Sequence, residues 1–431
     1  MAKELGNIIL ISYSCLWFIF LLWYKSKNQR FTLGYFLIAL YCILSLLTIY
    51  VFNSEFRPLY YEPDVQIFPL IYLFGIMFVT FLPIIQLHED KLLYLRIPEE
   101  ATNNYICSFF GMFSLFEIII MLPEIREGMI IMMSSNADSI TDLYVDMTHS
   151  RMEKVGGGSG LISIIGVISN LSLLIGPLIF YQYLLQKNRS CFVMFLTTLT
   201  LIQGFLTGIA EASRCKIAAS VFVLTLLFFF FKPFLERKLV VKLKKISLII
   251  GGVLVSLLLI ITFARVASVN KVSSTFNIAR YLGGSTLVFD NYCLDAGGDR
   301  GGYKTIPLVN SLLGEKEMNE SESRFKFSYM KIDNSRFCTY VGDYVLDYGP
   351  ILGAFVLIVI SCLFLILLRH NHGLSYSQVI YVYMVTRFCS AYYQAAFTGI
   401  GGNIAILFFF ILAFSFSNQI LKSQIIYRKQ N

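Results

Sequence analysis

The amino-acid sequence predicts an all-α integral membrane protein that crosses the bilayer about eleven times. Apolar residues make up 56% of the 431-residue chain and charged residues only 14%, too few to cover a soluble protein of this size. The apolar residues form continuous runs close to the roughly 20 residues that a spanning helix requires. The chain contains no glycine-rich nucleotide loop, zinc-protease helix motif or paired-cysteine metal motif. A soluble enzyme is therefore excluded, and we expect no nucleotide, metal or other cofactor.

Eleven apolar runs are candidate spans. They are predicted at 7–24, 31–52, 67–86, 104–122, 159–184, 191–209, 216–231, 246–263, 350–368, 379–397 and 402–420. Two connections are long, at 123–158 and 264–349, and the others are short. Because the number of spans is odd, the two termini are predicted to lie on opposite sides of the membrane.

The distribution of basic residues predicts the orientation of these spans. On one side, the connectors 25–30, 87–103, 185–190, 232–245 and 369–378 and the tail after residue 420 carry a net charge of +12, whereas the other side carries −4. Short basic loops are retained on the cytoplasmic face. We therefore expect the N-terminus outside, the C-terminus on the cytoplasmic side and both long loops outside. The net charge of +8 is explained by this topology and does not indicate a nucleic-acid partner.

The loop at 264–349 is long enough to contain secondary structure of its own. Aromatic and apolar residues between Phe276 and Tyr292 recur at three- and four-residue spacings, which predicts an amphipathic helix on the membrane surface. Gly283 and Gly284 are candidate sites for a kink in it. The rest of the loop is predicted as a glycine-rich turn at 295–304, a short helix at 307–313 and a solvated connection at 315–324.

Arginine is frequent on the predicted outer face. Six arginines lie at the outer end of the sixth span or in the loop at 264–349, namely Arg214, Arg265, Arg280, Arg300, Arg324 and Arg336. A planar guanidinium group binds phosphate through two parallel hydrogen bonds, so these residues suggest a lipid-linked pyrophosphate as ligand. Arg214 and Arg265 are the strongest candidates because both lie at the ends of spans. The alternative is ordinary pairing with the ten acidic residues of the same loop.

Candidate general bases are few. Asp343 and Asp347 are four residues apart, so both carboxylates share one face of a helix that continues into the ninth span. They could instead stabilise the positive end of that helix. His149 is the only histidine on the predicted outer face, where it could act as a base or simply be solvated.

Two further pairs of residues have alternative interpretations. Glu117 and Arg387 lie inside predicted spans, where they could neutralise one another. Arg387 could instead face a cavity shared with nearby tyrosines. Cys293 and Cys338 could form a disulfide in an oxidising compartment, or could simply be small apolar residues.

One segment resembles the bacterial oligosaccharide repeat-unit polymerases, the Wzy-type O-antigen polymerases. The matching residues are Thr339, Tyr340, Gly342, Asp343, Tyr344, Asp347, Tyr348 and Gly349. The segment 212–216 is similar to the family's small-Ser-Arg element, and 279–292 to its aromatic-glycine segment. The resemblance covers about 204–355. Arg336 and Cys338 depart from it, because they occupy positions where the family has an asparagine-aromatic pair.

This resemblance implies a glycosyltransferase fold of the GT-C type in the bacterial inner membrane. It also implies a metal-independent polymerase that transfers a growing glycan from one undecaprenyl pyrophosphate to the next lipid-linked repeat unit at the periplasmic face. The expected residues are Arg214, Arg265, Arg280 and Arg336 for the pyrophosphate, and Asp347, then Asp343, His149 and Glu211, for the base. A chain-length regulator and a flippase are expected partners in this O-antigen, capsule or exopolysaccharide synthesis. The alternatives are an O-antigen ligase and a polysaccharide flippase or transporter.

Overall fold

The structure is a computed structural model. It describes residues 2–28, 31–62, 64–133, 160–210, 214–248, 251–252, 256, 274–315, 318, 320–332, 336–370 and 372–429. Most of this part of the chain is helical, which confirms the prediction of an all-α multi-pass membrane protein at that level. The chain forms two compact units. The first contains Met1–Lys91, Thr275–Asn371 and Met384–Phe410, and the second contains Leu92–Ser274, His372–Tyr383 and Ile411–Asn431.

Thirteen helices are numbered here in chain order. They are α1 (Ala2–Lys27), α2 (Leu33–Asn53), α3 (Ile67–Ile85), α4 (Glu100–Met133), α5 (Gly160–Leu184), α6 (Cys191–Ala210), α7 (Arg214–Phe231), α8 (Ser274–Val288), α9 (Pro307–Leu312), α10 (Glu320–Lys326), α11 (Thr339–Leu367), α12 (Tyr376–Ser390) and α13 (Gly399–Ser417). Residues 237–248 are also helical, and Phe289–Cys293 continue α8 as a π-helix. The strands are β1 (Tyr94–Pro98), β2 (Gly373–Leu374) and β3 (Ser423–Tyr427).

Within the described ranges, nine helices are long and apolar enough to cross a membrane, namely α1–α7, α11 and α13. Each overlaps a predicted span. The predicted eighth span, 246–263, falls mostly outside the described residues. The predicted tenth span, 379–397, differs from the structure because α12 ends at Ser390 and 391–398 are not helical. The backbone has positive φ at Phe397 and at Gly399, the first residue of α13, so α12 and α13 do not join into one continuous helix.

The first unit has an aromatic core between its first three helices. The buried ring of Trp17 in α1 stacks on Tyr41 of α2 at 4.8 Å between centroids. It also meets Phe74 and Phe81 of α3 edge-on or tilted, at 5.1 and 5.8 Å. Aromatic contacts of this kind stabilise more than area burial alone. This core holds α1, α2 and α3 together, and the connector between α2 and α3 carries part of the candidate site.

Helix α8 packs closely against α2. A β-carbon at Gly283 would lie 2.5 Å from the backbone nitrogen of Thr48, and the Thr48 hydroxyl donates a hydrogen bond to the Gly283 carbonyl at 2.9 Å. The predicted helix is therefore present, but the prediction of a kink at the glycines is wrong: α8 runs through them unbroken. Residues 283–290 are all buried, so this half of the helix lies in the interior and not on a surface.

Helix α11 changes direction at Gly349. This residue has φ 79° and ψ 166°, and Pro350 follows it. Such a backbone conformation favours glycine, and proline removes one helical hydrogen bond. The helix starts at Thr339, eleven residues before the predicted span, and its residues before the kink are mostly buried. Beyond the kink it exposes large apolar side chains such as Ile351.

The second unit contains a small sheet that the sequence analysis did not predict. The strand order is β2-β1-β3, with β1 parallel to β2 and antiparallel to β3. The register pairs Tyr94 with both Gly373 and Tyr427. The three strands come from segments predicted to be cytoplasmic, and their pairing requires all three to lie on one side of the membrane.

Helix α4 extends further than predicted. It continues through Pro123 to Met133, so the loop predicted at 123–158 begins with helix, and 134–159 lie outside the described residues.

Inside the second unit a polar network joins three apolar helices. Ser114 of α4 donates to the Gln203 side chain of α6 at 2.7 Å, and Gln203 donates to the Ser169 hydroxyl of α5 at 2.7 Å. These bonds satisfy polar groups where water is excluded.

Candidate functional site

Two buried carboxylates of α11 hold a cationic loop against the helix. Asp347 accepts a hydrogen bond from Arg300 Nε at 2.7 Å, and Asp343 accepts one from Lys304 Nζ at 2.9 Å. Arg300 Nη2 also lies 3.4 Å from Asp343. Both aspartate side chains are completely buried and that of Arg300 is 2% exposed, whereas Lys304 is 20% exposed. The two acids and two bases balance in charge, and Lys304 lies at the solvent edge of the network. Both carboxylates lie on one face of α11, as their spacing predicts.

The remaining acceptor positions of these carboxylates are also occupied. The second oxygen of Asp347 accepts from the Thr305 backbone N–H and hydroxyl, both at 2.8 Å, and from the Lys304 N–H at 3.1 Å. The second oxygen of Asp343 accepts from the Ala395 N–H at 2.7 Å. To act as a base, Asp347 would have to release several of these donors. The geometry therefore favours a positioning role, and catalysis by Asp343 or Asp347 stays a prediction.

The loop that carries Arg300 is shaped by glycine. Gly297, Gly301 and Gly302 all have positive φ. The turn places the Arg300 N–H 2.9 Å from the Leu346 carbonyl, so backbone and side chain both bind α11. Burial alone would lower the pKa of Arg300, but the neighbouring carboxylates outweigh burial and raise it. The sequence predicted this loop and left open that its arginines pair with acidic residues of the same loop. For Arg300 the structure confirms that alternative, and it identifies Asp343 and Asp347 as the partners, which the sequence did not predict.

A second group of residues lies where α8 meets the connector between α2 and α3. This arginine–tyrosine cluster consists of Tyr60, Tyr61, Arg280, Tyr292 and Arg336. The guanidinium of Arg280 stacks over the Tyr60 ring at 3.9 Å. Arg336 donates to the Tyr60 carbonyl at 3.2 Å and lies 5.6 Å from the centre of the Tyr292 ring. Two cations from distant parts of the chain thus meet at one tyrosine.

Neither cation of the cluster has a carboxylate partner among the described residues. Arg300, Lys326 and Lys331 of the same loop all form ion pairs, whereas Arg280 and Arg336 form none within that set. Arg280 is half-buried and Arg336 is exposed, so a ligand can reach both. Burial raises the pKa of Tyr61 to about 12, although both arginines act in the opposite direction. The phenol therefore remains a neutral hydrogen-bond donor beside two positive charges that have no carboxylate partner in the described part of the chain.

Aromatic rings extend from this cluster towards the start of α11. Tyr281 and Phe337 have ring centroids 6.3 Å apart, and Phe337 meets Tyr393 edge-on at 5.4 Å. Such rings present apolar faces beside polar groups, a combination suited to sugar rings. The sequence analysis did not identify Tyr60 and Tyr61, although two adjacent tyrosines in a short connector between spans were a visible signal.

Asp290 is another site residue that sequence reasoning missed. It lies in the π-helix after α8 and is 4% exposed. Its two oxygens accept from the Gln66 N–H at the start of α3, at 3.1 and 3.2 Å. Burial raises the pKa of Asp290 to about 7, although the bond from Gln66 acts to lower it. Asp290 therefore titrates near neutral pH, and π-helical turns are frequent at functional sites.

The structure describes only some of the remaining residues that the sequence predicted for the site. Arg214 begins α7, but its side chain is not among those described, and His149, Glu211 and Arg265 lie outside the described residues. Glu117 lies in α4 and Arg387 in the last turn of α12. They belong to different units, and their pairing stays a prediction. Cys293 and Cys338 are buried, unbridged thiols in unit one.

No family model, curated protein or solved structure matches this chain. Within the described ranges, no group of three or more His, Cys, Asp or Glu side chains is placed to hold a metal ion. The arginine–tyrosine cluster is the feature most suited to binding an anionic ligand.

Proposed function

We propose that the protein is a membrane glycosyltransferase that polymerises undecaprenyl-pyrophosphate-linked oligosaccharide repeat units. The observation that supports this function is the pair of guanidinium groups, Arg280 and Arg336, that meet at Tyr60 without a carboxylate partner among the described residues. In this proposal they bind the pyrophosphate of the donor lipid. Arginine suits the task because each planar group can donate two parallel hydrogen bonds to phosphate oxygens.

The position of the cluster supports a lipid-linked ligand. Tyr60 belongs to the connector between α2 and α3, two candidate membrane spans, so the cluster is close to a membrane boundary. A polyprenyl pyrophosphate has its charged group at the same boundary and its hydrocarbon chain in the bilayer. The proposed location is the periplasmic face of the bacterial inner membrane, with the N-terminus periplasmic, the C-terminus cytoplasmic and a GT-C-type architecture.

The reaction forms a glycosidic bond between an acceptor hydroxyl and the anomeric carbon of the donor glycan. The bond from that carbon to the pyrophosphate oxygen breaks, and its electron pair leaves with undecaprenyl pyrophosphate. Fixed positive charges stabilise the leaving group as negative charge develops on it. The acceptor proton passes to a base, for which Asp347, Asp343, His149 and Glu211 are the candidates. Aromatic rings such as Tyr281 and Phe337 line the approach for the sugars.

The proposal is tested with the variants Arg280→Lys and Arg336→Lys in a strain that lacks the native gene. Losing a charge-assisted hydrogen bond costs about 1.5–3 kcal/mol, equivalent to about 10- to 100-fold in donor affinity. Gel analysis of surface polysaccharide should show chains shortened towards single repeat units at normal protein levels. The matched control is Arg57→Lys, because Arg57 lies in the same connector as Tyr60 but stacks over Phe52 at 4.7 Å. Normal polymer from the Ala variants of both cluster arginines would contradict the proposal.

Deletion of the gene separates the three classes of function. A polymerase deletion leaves single repeat units on the lipid A core, and a ligase deletion leaves bare core. Loss of a flippase causes the lipid-linked unit to accumulate on the inner leaflet. We expect single repeat units.

A further inference from the structure

The thiols of Cys293 and Cys338 face each other across one glycine. A β-carbon at Gly342 would lie 3.0 Å from the Cys338 sulfur and 3.2 Å from the Cys293 sulfur. Cys293 is also the neighbour with the largest effect on the pKa of the Cys338 thiol, which it raises. Cys293 ends the π-helix after α8, and Cys338 immediately precedes α11, so 44 residues of chain separate two sulfurs that share one small space.

This space is closed to solvent and depends on glycine. The residue exposures of Cys293 and Cys338 are 1% and 0%. Any side chain at position 342 would push against both sulfurs, because a β-carbon there would already be closer than ordinary van der Waals contact. Two separate small apolar residues would not require a glycine between them. The glycine at 342 leaves room for both sulfurs, which lie 3.0 and 3.2 Å from the position that its β-carbon would occupy.

We infer that Cys293 and Cys338 form a disulfide bond in the mature protein. The bond forms when an external protein disulfide accepts two electrons from the two thiols: the external S–S bond breaks, its sulfurs take up two protons, and the new S–S bond joins the cysteines. An oxidising compartment supplies such a disulfide. The inference rests on the proposed periplasmic position of residues 264–349, but it does not depend on the proposed reaction.

The timing of this step follows from the surroundings of the sulfurs. Contact with Cys293 and burial both raise the pKa of the Cys338 thiol well above its usual range. Thiol–disulfide exchange requires a thiolate with access to the external disulfide. The bond therefore forms while the loop is still folding, and once formed it resists reducing agents unless the protein is unfolded.

The bond would join two parts of the candidate site. Cys338 lies 3.5 Å from Asp343 and two residues after Arg336. Cys293 directly follows Tyr292 of the arginine–tyrosine cluster. The crosslink would thus fix the π-helix to the start of α11 and limit movement between the two segments that carry the cluster.

The test measures thiol state in cells. Membranes are acid-quenched and denatured, free thiols are blocked with N-ethylmaleimide, and the sample is reduced and labelled with the isotopically heavy reagent before mass spectrometry. Cys293 and Cys338 should carry only the heavy label, whereas the buried Cys107 should carry the light label. Light label on both Cys293 and Cys338 would overturn the inference.

A second measurement separates this inference from the proposed function. Reducing agent applied during unfolding should lower the unfolding temperature of the wild-type protein in detergent. It should have no effect on the Cys293→Ser/Cys338→Ser double variant. An equal response of the two proteins would also overturn the inference, whereas the polymer lengths made by the arginine variants test the reaction independently.

Discussion

Asp347→Asn is the substitution for which the structure makes the sharpest prediction. The change removes one negative charge and replaces an acceptor oxygen with an NH2 group. If the new NH2 group replaces the oxygen that binds Arg300 at 2.7 Å, Arg300 loses its acceptor. If it replaces the other oxygen, it faces the backbone N–H donors of Lys304 and Thr305. In either orientation of the amide, buried donors lose their partner.

The expected cost follows from this geometry. Removing one partner of a buried ion pair costs roughly 3–5 kcal/mol. We expect the lower end, about 3 kcal/mol, because Asp343 remains 3.4 Å from Arg300 and still provides a negative charge. A carboxylate that only stabilised a helix end would contribute about 1 kcal/mol or less. The two explanations therefore predict measurably different stabilities.

Denaturant titration of purified protein in detergent micelles measures this difference. A double-mutant cycle is built from Asp347→Asn, Arg300→Gln and the double variant. Its coupling energy isolates the contribution of the ion pair to the free energy of unfolding. The control is Lys331→Gln, whose pair with Asp295 is exposed and should be worth less than about 1 kcal/mol. A cost for Asp347→Asn equal to that of the control, or zero coupling, would refute the reasoning. Normal stability with a hundredfold loss of elongation would instead identify Asp347 as the base.

Two further substitutions test other parts of unit one. The pKa of Asp290 is about 7 in the folded protein, against 3.8 ordinarily, so its contribution to stability is greatest below pH 4 and is lost as pH rises through about 7. Thermal unfolding between pH 4 and 8 should show this decrease in the wild type and not in Asp290→Asn, and identical profiles would contradict it. Gly283→Ala should destabilise the protein by roughly 1–3 kcal/mol, because the added carbon meets the Thr48 and Leu47 backbone. Gly75→Ala is its matched control, since that position in α3 has open space and alanine favours a helix by roughly 0.5–1 kcal/mol; equal stabilities would contradict the packing argument.

Much of the membrane architecture could be predicted because hydropathy is a local property. Runs such as 33–53 and 191–210 are apolar enough to be recognised as membrane spans from their own residues alone. The end of α12 could not be predicted in this way. Residues 391–397 are mostly apolar but are not helical, and hydropathy does not report backbone geometry.

The site was harder to predict because it depends on contacts between distant segments. The four-residue spacing of Asp343 and Asp347 correctly placed them on one face, since that follows from helix geometry alone. That Arg300 pairs with them depends on how a glycine-rich loop folds back onto α11, which no local pattern reveals. Similarly, Arg280 was recognised by its residue type, but its meeting with Arg336 at Tyr60 brings together three separate parts of the chain.

The change of direction at Gly349 divides α11 into two parts that should accept different mutations. Before it, nearly every side chain is enclosed, and Asp343 and Asp347 have fixed partners, so most substitutions would disturb a neighbour. After it, large side chains such as Ile351 and Phe355 are exposed, and many apolar residues would serve equally well in a bilayer. Random mutagenesis of this helix should therefore show a sharp boundary at residue 349, with apolar exchanges tolerated beyond it and few changes tolerated before it.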